Sequence, residues 1–191
     1  MTSEFHRNDQ NGRKNGRSGI WIWETAGALF IISSGCLLHF VFEWFGRWPP
    51  LALVAAVNES VWEHLKLAFW PSLFFGLFAR PFLKGKTDHY WTAKIAGILL
   101  MPIFIAVSFY AYILVFKRHN LIYDISIFVI AVILGQMTSA RLMQKTHFTR
   151  LIKITAALLL IAVILMFSLC TYCPPRLPLF HDGRTGGYGI P

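Results

Sequence analysis

Apolar residues fall along this chain in five blocks, over residues 21–43, 65–83, 92–116, 121–142 and 151–170. Each is about 20 residues long, the length a helix needs to cross roughly 30 Å of hydrocarbon at 1.5 Å per residue. Such blocks must be helical, because lipid offers the backbone no hydrogen-bond partners. The pattern therefore predicts an all-α integral membrane fold, a bundle of five transmembrane helices. The second block is interrupted by Pro71, expected to kink it, and by Pro81, expected to end it. Trp23 and Trp44 bracket the first block 21 steps apart, roughly 32 Å of helix and close to an interface-to-interface distance.

The polar stretches set the domain limits. Residues 1–19 are rich in Gly and Asn and are expected to form a disordered cytoplasmic tail. Residues 20–173 form the bundle. Residues 174–191 begin with Pro174, Pro175 and Pro178, which favour an extended path. They continue with Leu177, Leu179 and Phe180, so the tail is expected to lie folded over the outer face. The SSGC at 33–36 resembles a lipoprotein signal, but Glu24 interrupts the apolar segment and the apolar run continues past Cys36.

Composition agrees with a membrane solvent: of 191 residues, 55% are hydrophobic and 14% charged. The net charge of +9 would suit a nucleic-acid partner, but its distribution argues against one. Twelve of the 18 Lys and Arg residues fall in the N-terminal tail or in and within about a turn of the second and fourth connections, Arg80, Lys94, Arg141 and Lys153 being the flanking ones, and six on the other side. The positive-inside rule then puts the N-terminus in the cytoplasm and the C-terminus outside. Basic connections at an anionic leaflet account for the charge. The expected partner is the lipid bilayer, with no nucleic acid; a second copy or another membrane component is a further candidate.

This topology gathers the unusual polar residues at the outer end. The stretch NESVWEHLK at 58–66 supplies Asn58, Glu59, Ser60, Glu63, His64 and Lys66. His39 and Glu43, four apart on one helix face, stand opposite. Lys117, Arg118, His119, Asn120 and Asp124 begin the fourth helix there, and the tail adds His181 and Asp182. Glu24 and Gln136 lie nearer the cytoplasmic end. Ser60–Glu63 fits an S-x-x-E capping box, with Asn58 a rival cap. A cap and a Glu–Lys pair would by themselves start and anchor a helix. Charged groups near lipid are costly, however, so a functional pocket is the competing reading. Glu43, Glu59, Glu63, His39 and His64 are expected to converge, with Lys66 or Arg47, a proton or a divalent cation offsetting the carboxylates.

The motifs HFVFEW at 39–44, NESVWEHLK, FWP at 69–71 and PP-x-LPLF-x-D-x-x-TGGYGI at 174–190 resemble an uncharacterised family of small bacterial multi-pass membrane proteins. The resemblance covers most of the chain and implies a bacterial integral membrane protein, with no activity attached; the expected location is the cytoplasmic (inner) membrane.

Three functions compete. The first is an outward-facing His/Glu pocket that binds a small ligand, ion or partner. The second is a metal-dependent membrane-embedded hydrolase acting on a lipid or amphipathic substrate. His39, His64 and Glu59 would then be metal ligands and Glu63 the base that activates a metal-bound water, with Glu43 or Asp124 as alternative oxygen ligands. That arrangement is loosely similar to the integral-membrane ceramidase-type hydrolases, although those have seven spans and a paired-histidine signature absent here. The third, a transporter, needs a dimer, since no internal repeat is present. A divalent metal is the cofactor the residues admit. Cys170 and Cys173 form a lone C-x-x-C, read as packing residues or an incidental disulfide, and Cys36 as a packing residue.

Overall fold

The computed structural model describes residues 2–117, 120–145 and 147–190, with side chains from residue 16 onward. Among the described residues are five long helices: α1 (Thr2–Trp44), α2 (Val61–Leu83), α3 (Tyr90–Phe116), α4 (Leu121–Met143) and α5 (Arg150–Tyr172). Two short 3-10 turns, Pro49–Leu53 and Pro178–Phe180, flank α2 and follow α5. No strand occurs among the described residues, apart from one bridge between His181 and Tyr188. Arg118 and His119 lie outside the described residues.

Four of the helices, α1, α3, α4 and α5, are long and apolar enough to cross a membrane. The exception, α2, carries Glu63, His64, Lys66 and Arg80 within a span of the same length. It is also the most buried helix: Phe69, Ala68 and Ser72 are fully enclosed and Trp62, Leu65 and Trp70 nearly so. Helices α1 to α4 close a ring in which α1 packs on α2, α2 on α3, α3 on α4 and α4 on α1. Outside this ring, α5 lies against α3 and the 49–53 turn. The tightest seam joins α3 to α4. A Cβ on Gly135 would stand 2.8 Å from the Gly97 carbonyl oxygen and meet the Met101 side chain. Small residues at such a crossing let the backbones approach closely.

The backbone of α1 is helical from Thr2. Two details differ from the sequence expectation. Pro81 sits inside the last turn of α2, which continues to Leu83. Cys36 is exposed on α1, and Cys170 and Cys173 are free thiols.

The surface inverts that of a water-soluble bundle. Leu114, Ile122, Leu151, Ile22 and Leu169 are each more than 60% exposed. Meanwhile Glu24, Glu63, Lys66 and Lys94 are buried. Large exposed apolar faces of this extent mark contact with lipid or protein rather than water.

Candidate functional site

The site is built at the start of α2. Asn58 Oδ1 accepts from the Ser60 amide at 2.9 Å. Ser60 is the N-cap, its hydroxyl accepting from the Glu63 amide at 3.4 Å. The other half of a capping box does not form. The Glu63 carboxylate passes over the cap and accepts from the Val57 amide at 3.1 Å. This reach draws residues 55–57 inward, where Ala55 and Val57 pack with Phe42 and Ala52.

Glu63 is also ion-paired with Lys66, and its Oε1 lies 3.2 Å from Thr171 Oγ1, whose single proton it shares with the Phe167 carbonyl at 2.9 Å. Lys66 donates to the Ala52 carbonyl at 2.7 Å and to Thr171 Oγ1 at 3.0 Å. All three ammonium protons of Lys66 therefore have acceptors, as a buried cation requires. The network ties α2 to α5 and to the segment before α2.

One turn away, a second group faces the surface. The His64 Nδ1 atom lies 2.8 Å from the Ser60 carbonyl oxygen. A carbonyl only accepts, so Nδ1 carries the proton and the Nε2 lone pair is free to act as a ligand. His64 Nε2 is 3.5 Å from Glu59 Oε2, and His39 Nε2 is 3.9 Å from Glu59 Oε1. Both separations exceed hydrogen-bond length. One ligand atom from each of His39, Glu59 and His64 lies within 4.8 Å of the others. Ligands sharing a tetrahedral ion at about 2.0–2.2 Å stand roughly 3.4 Å apart, so a small rotamer adjustment suffices. His39 Nδ1 is buried and has no hydrogen-bond partner among the described residues.

The tail positions Glu59. The Asn58 side-chain amide donates to the Gly189 carbonyl at 2.7 Å. Gly189 takes a positive φ of 74° there, which glycine adopts without strain. The Asp182 carboxylate receives the Arg184 amide at 2.9 Å and the Thr185 hydroxyl. Burial pushes the Asp182 carboxyl up. Hydrogen bonds from the Thr185 hydroxyl and the backbone amides of Arg184, Thr185 and Glu59 outweigh that, holding it below the ordinary aspartate range. Phe180 is buried with its ring 4.7 Å from that of Trp62.

The five residues expected to converge do not form one pocket. Glu43 is turned away. It pairs with Arg47, whose guanidinium lies 2.9 Å from Oε1, and both side chains are more than half exposed. Gly46 and Arg47 both take positive φ, folding Arg47 back toward Glu43. Glu63 belongs to the buried Lys66–Thr171 network, and both its oxygens are engaged, which opposes a role as general base. Asp124 lies in the first turn of α4, where a carboxylate suits the helix dipole, outside the His39–Glu59–His64 group.

Two residues that matter here carried no sequence signal of their own. Thr171 reads as filler in CTYC, yet it bridges Glu63 and Lys66. Lys94 reads as a connection charge, yet it is fully buried. It donates to Glu24 at 2.8 and 2.9 Å and to Gln136 Oε1 at 3.0 Å. Glu24, a carboxylate inside an apolar block, was the available clue that a cation had to be near.

Residues 11–190 match a family described as "Family of unknown function (DUF6512)". No curated protein and no solved structure matches the chain.

Proposed function

The chain belongs to this family of unknown function, and we propose that it is a multi-pass bacterial inner-membrane protein that binds a divalent metal ion at its outer face. His39, Glu59 and His64 are the ligands. In this reading α2 is the fifth span, with Glu63 and Lys66 sheltered by α5 and the 49–57 segment. The exposed apolar helices support a lipid surroundings. The excess of Lys and Arg at the opposite end supports a cytoplasmic N-terminus and an external C-terminus. The contacts of Phe180 and Gly189 support a tail folded over the outer mouth.

One observation carries the metal reading: two imidazoles and a carboxylate offer atoms within 4.8 Å of one another. Two nitrogens and one oxygen suit zinc and its first-row neighbours. The three side chains are between 30% and 41% exposed, which leaves room for a water or a small ligand as a further donor.

That open side favours a second reading, hydrolysis of a lipid or amphipathic substrate, in which the metal would supply an activated water. Because Glu63 is held by Lys66, Thr171 and Val57, the proton acceptor in that reading is Glu59 or an outside base.

Metal analysis of protein purified without chelators tests the proposal. About one zinc-like ion per chain is expected, and His39→Ala or His64→Ala should lose it. Protein that neither carries metal nor develops a cobalt absorption band on titration would overturn it.

A further inference from the structure

The end of the bundle remote from His39 holds a cavity of about 730 Å³, between the α2–α3 connection and the beginning of α5. Its rim carries Arg80, Lys84 and Lys153, with Asp88 the opposing acid. Leu83 and Ile95, both buried, supply an apolar wall. Trp91 lies beneath Arg80, whose guanidinium carbon is 5.8 Å from the ring centroid. Helix α5 packs on α3 outside the four-helix ring. The outward side of α5 is apolar and open: Leu151, Ile154 and Leu158 are all exposed.

We propose that this cavity seats the phosphate headgroup of an anionic phospholipid from the cytoplasmic leaflet. Three cations against one acid give it the charge such a headgroup needs. Basic pockets between spans on the cytoplasmic side are suited to anionic headgroups, and the gain comes from each Lys or Arg near the phosphate. The acyl chains would continue along the apolar flank of α5, which a free phosphate could not use. Trp91 is an amphipathic ring of the kind found at the headgroup level. The inference rests on the membrane orientation proposed above and not on the metal site.

The test uses the full chain in phosphatidylcholine nanodiscs, with a minor fraction of either brominated phosphatidylglycerol or brominated phosphatidylcholine. Comparison with Trp91→Phe isolates the quenching of Trp91. Brominated phosphatidylglycerol should quench Trp91 at a several-fold lower fraction than brominated phosphatidylcholine. K84Q/K153Q should erase that preference, each lysine contributing about fivefold. Metal content, set at the other end, should not change. Equal quenching by the two lipids, or a preference that survives K84Q/K153Q, overturns the proposal. Relief of quenching by inorganic phosphate overturns it too, since the site would then take the free anion. If brominated phosphatidylcholine quenches none of the tryptophans, the membrane reading fails and the proposal with it.

Discussion

Lys66 and Glu63 neutralise each other one turn apart on α2, and neither side chain reaches the surface. The pair is closed by Thr171 from α5 and by the Ala52 carbonyl. The charges of NESVWEHLK thus serve two ends. Glu63 and Lys66 hold α2, α5 and the 49–57 segment together. Glu59 and His64, on the exposed side of the same turn, meet His39.

Glu63→Gln should therefore act on stability. It leaves the Lys66 ammonium buried without its counter-ion, a loss of about 3–5 kcal/mol. The double variant Glu63→Gln/Lys66→Met should recover much of that loss, because no orphan charge remains. Thermal unfolding in detergent checks both. If Glu63→Gln unfolds like the parent, the network does not hold the bundle.

Ser60→Ala removes the cap on α2 and should cost about 1 kcal/mol. Asn58→Ala should also loosen the tail, since Asn58 binds both the Ser60 amide and Gly189. Protease cleavage within 183–187 should accelerate in Asn58→Ala and change less in Ser60→Ala. Equal cleavage of all three proteins would mean that Asn58 does not anchor the tail.

The helices were legible because apolar block length and helix length are set by the same physics. The S-x-x-E spacing likewise located the start of α2. What remained hidden were pairings across helices. Nothing local in the sequence says that Glu63 turns toward Thr171 and away from His39, since the choice depends on how α5 docks. Glu43 misled for the opposite reason: its i,i+4 relation to His39 is real on the helix, but the reversal at Gly46 offered it a nearer partner in Arg47. Lys94 was counted among the connection charges because helix ends are uncertain by a turn, and one turn decides whether it meets water or Glu24.

Gly135→Ala should weaken the α3–α4 seam, since the added methyl meets the Gly97 carbonyl and the Met101 side chain. Overpacking of this kind costs about 1–3 kcal/mol. The companion change Met101→Ala should restore part of the loss by making room. A melting temperature unchanged in Gly135→Ala would show that the helices separate there at little cost.

Asp182 sets a pH limit on the tail. Its carboxyl is held below the ordinary aspartate range of about 3.9. A depressed carboxylate stabilises the folded tail at pH values above that range, and its contribution is lost as pH falls through the folded value. Protection of the Gly187 and Arg184 amides from hydrogen exchange should thus be steady above about pH 5 and fall under more acidic conditions. Asp182→Asn should lower protection at neutral pH and flatten the acid dependence. An identical pH profile in Asp182→Asn would show that this carboxylate does not order the tail.

The proposed metal site makes the sharpest demand, because Glu43 and Glu59 are both carboxylates near His39 in sequence or space and the proposal takes only Glu59 as a ligand. Glu59 lies between the two imidazoles, 3.5 Å from His64 Nε2 and 3.9 Å from His39 Nε2. Glu43 is committed to Arg47. Cobalt titration of Glu59→Gln should show affinity reduced by at least the roughly 10–100-fold that loss of a ligand's outer-shell partner costs, while Glu43→Gln should bind as the parent does. Acidification should weaken binding in the parent, because protons compete with the metal for the imidazole lone pairs. Stability can be separated from binding by comparing unfolding with and without metal. A bound ion stabilises the parent by mass action, and Glu59→Gln should lose that increment. If Glu43→Gln and Glu59→Gln weaken cobalt binding equally, the ligand set assigned here is wrong. If neither changes it, the ion binds elsewhere and His39, Glu59 and His64 serve only to join α1 to α2.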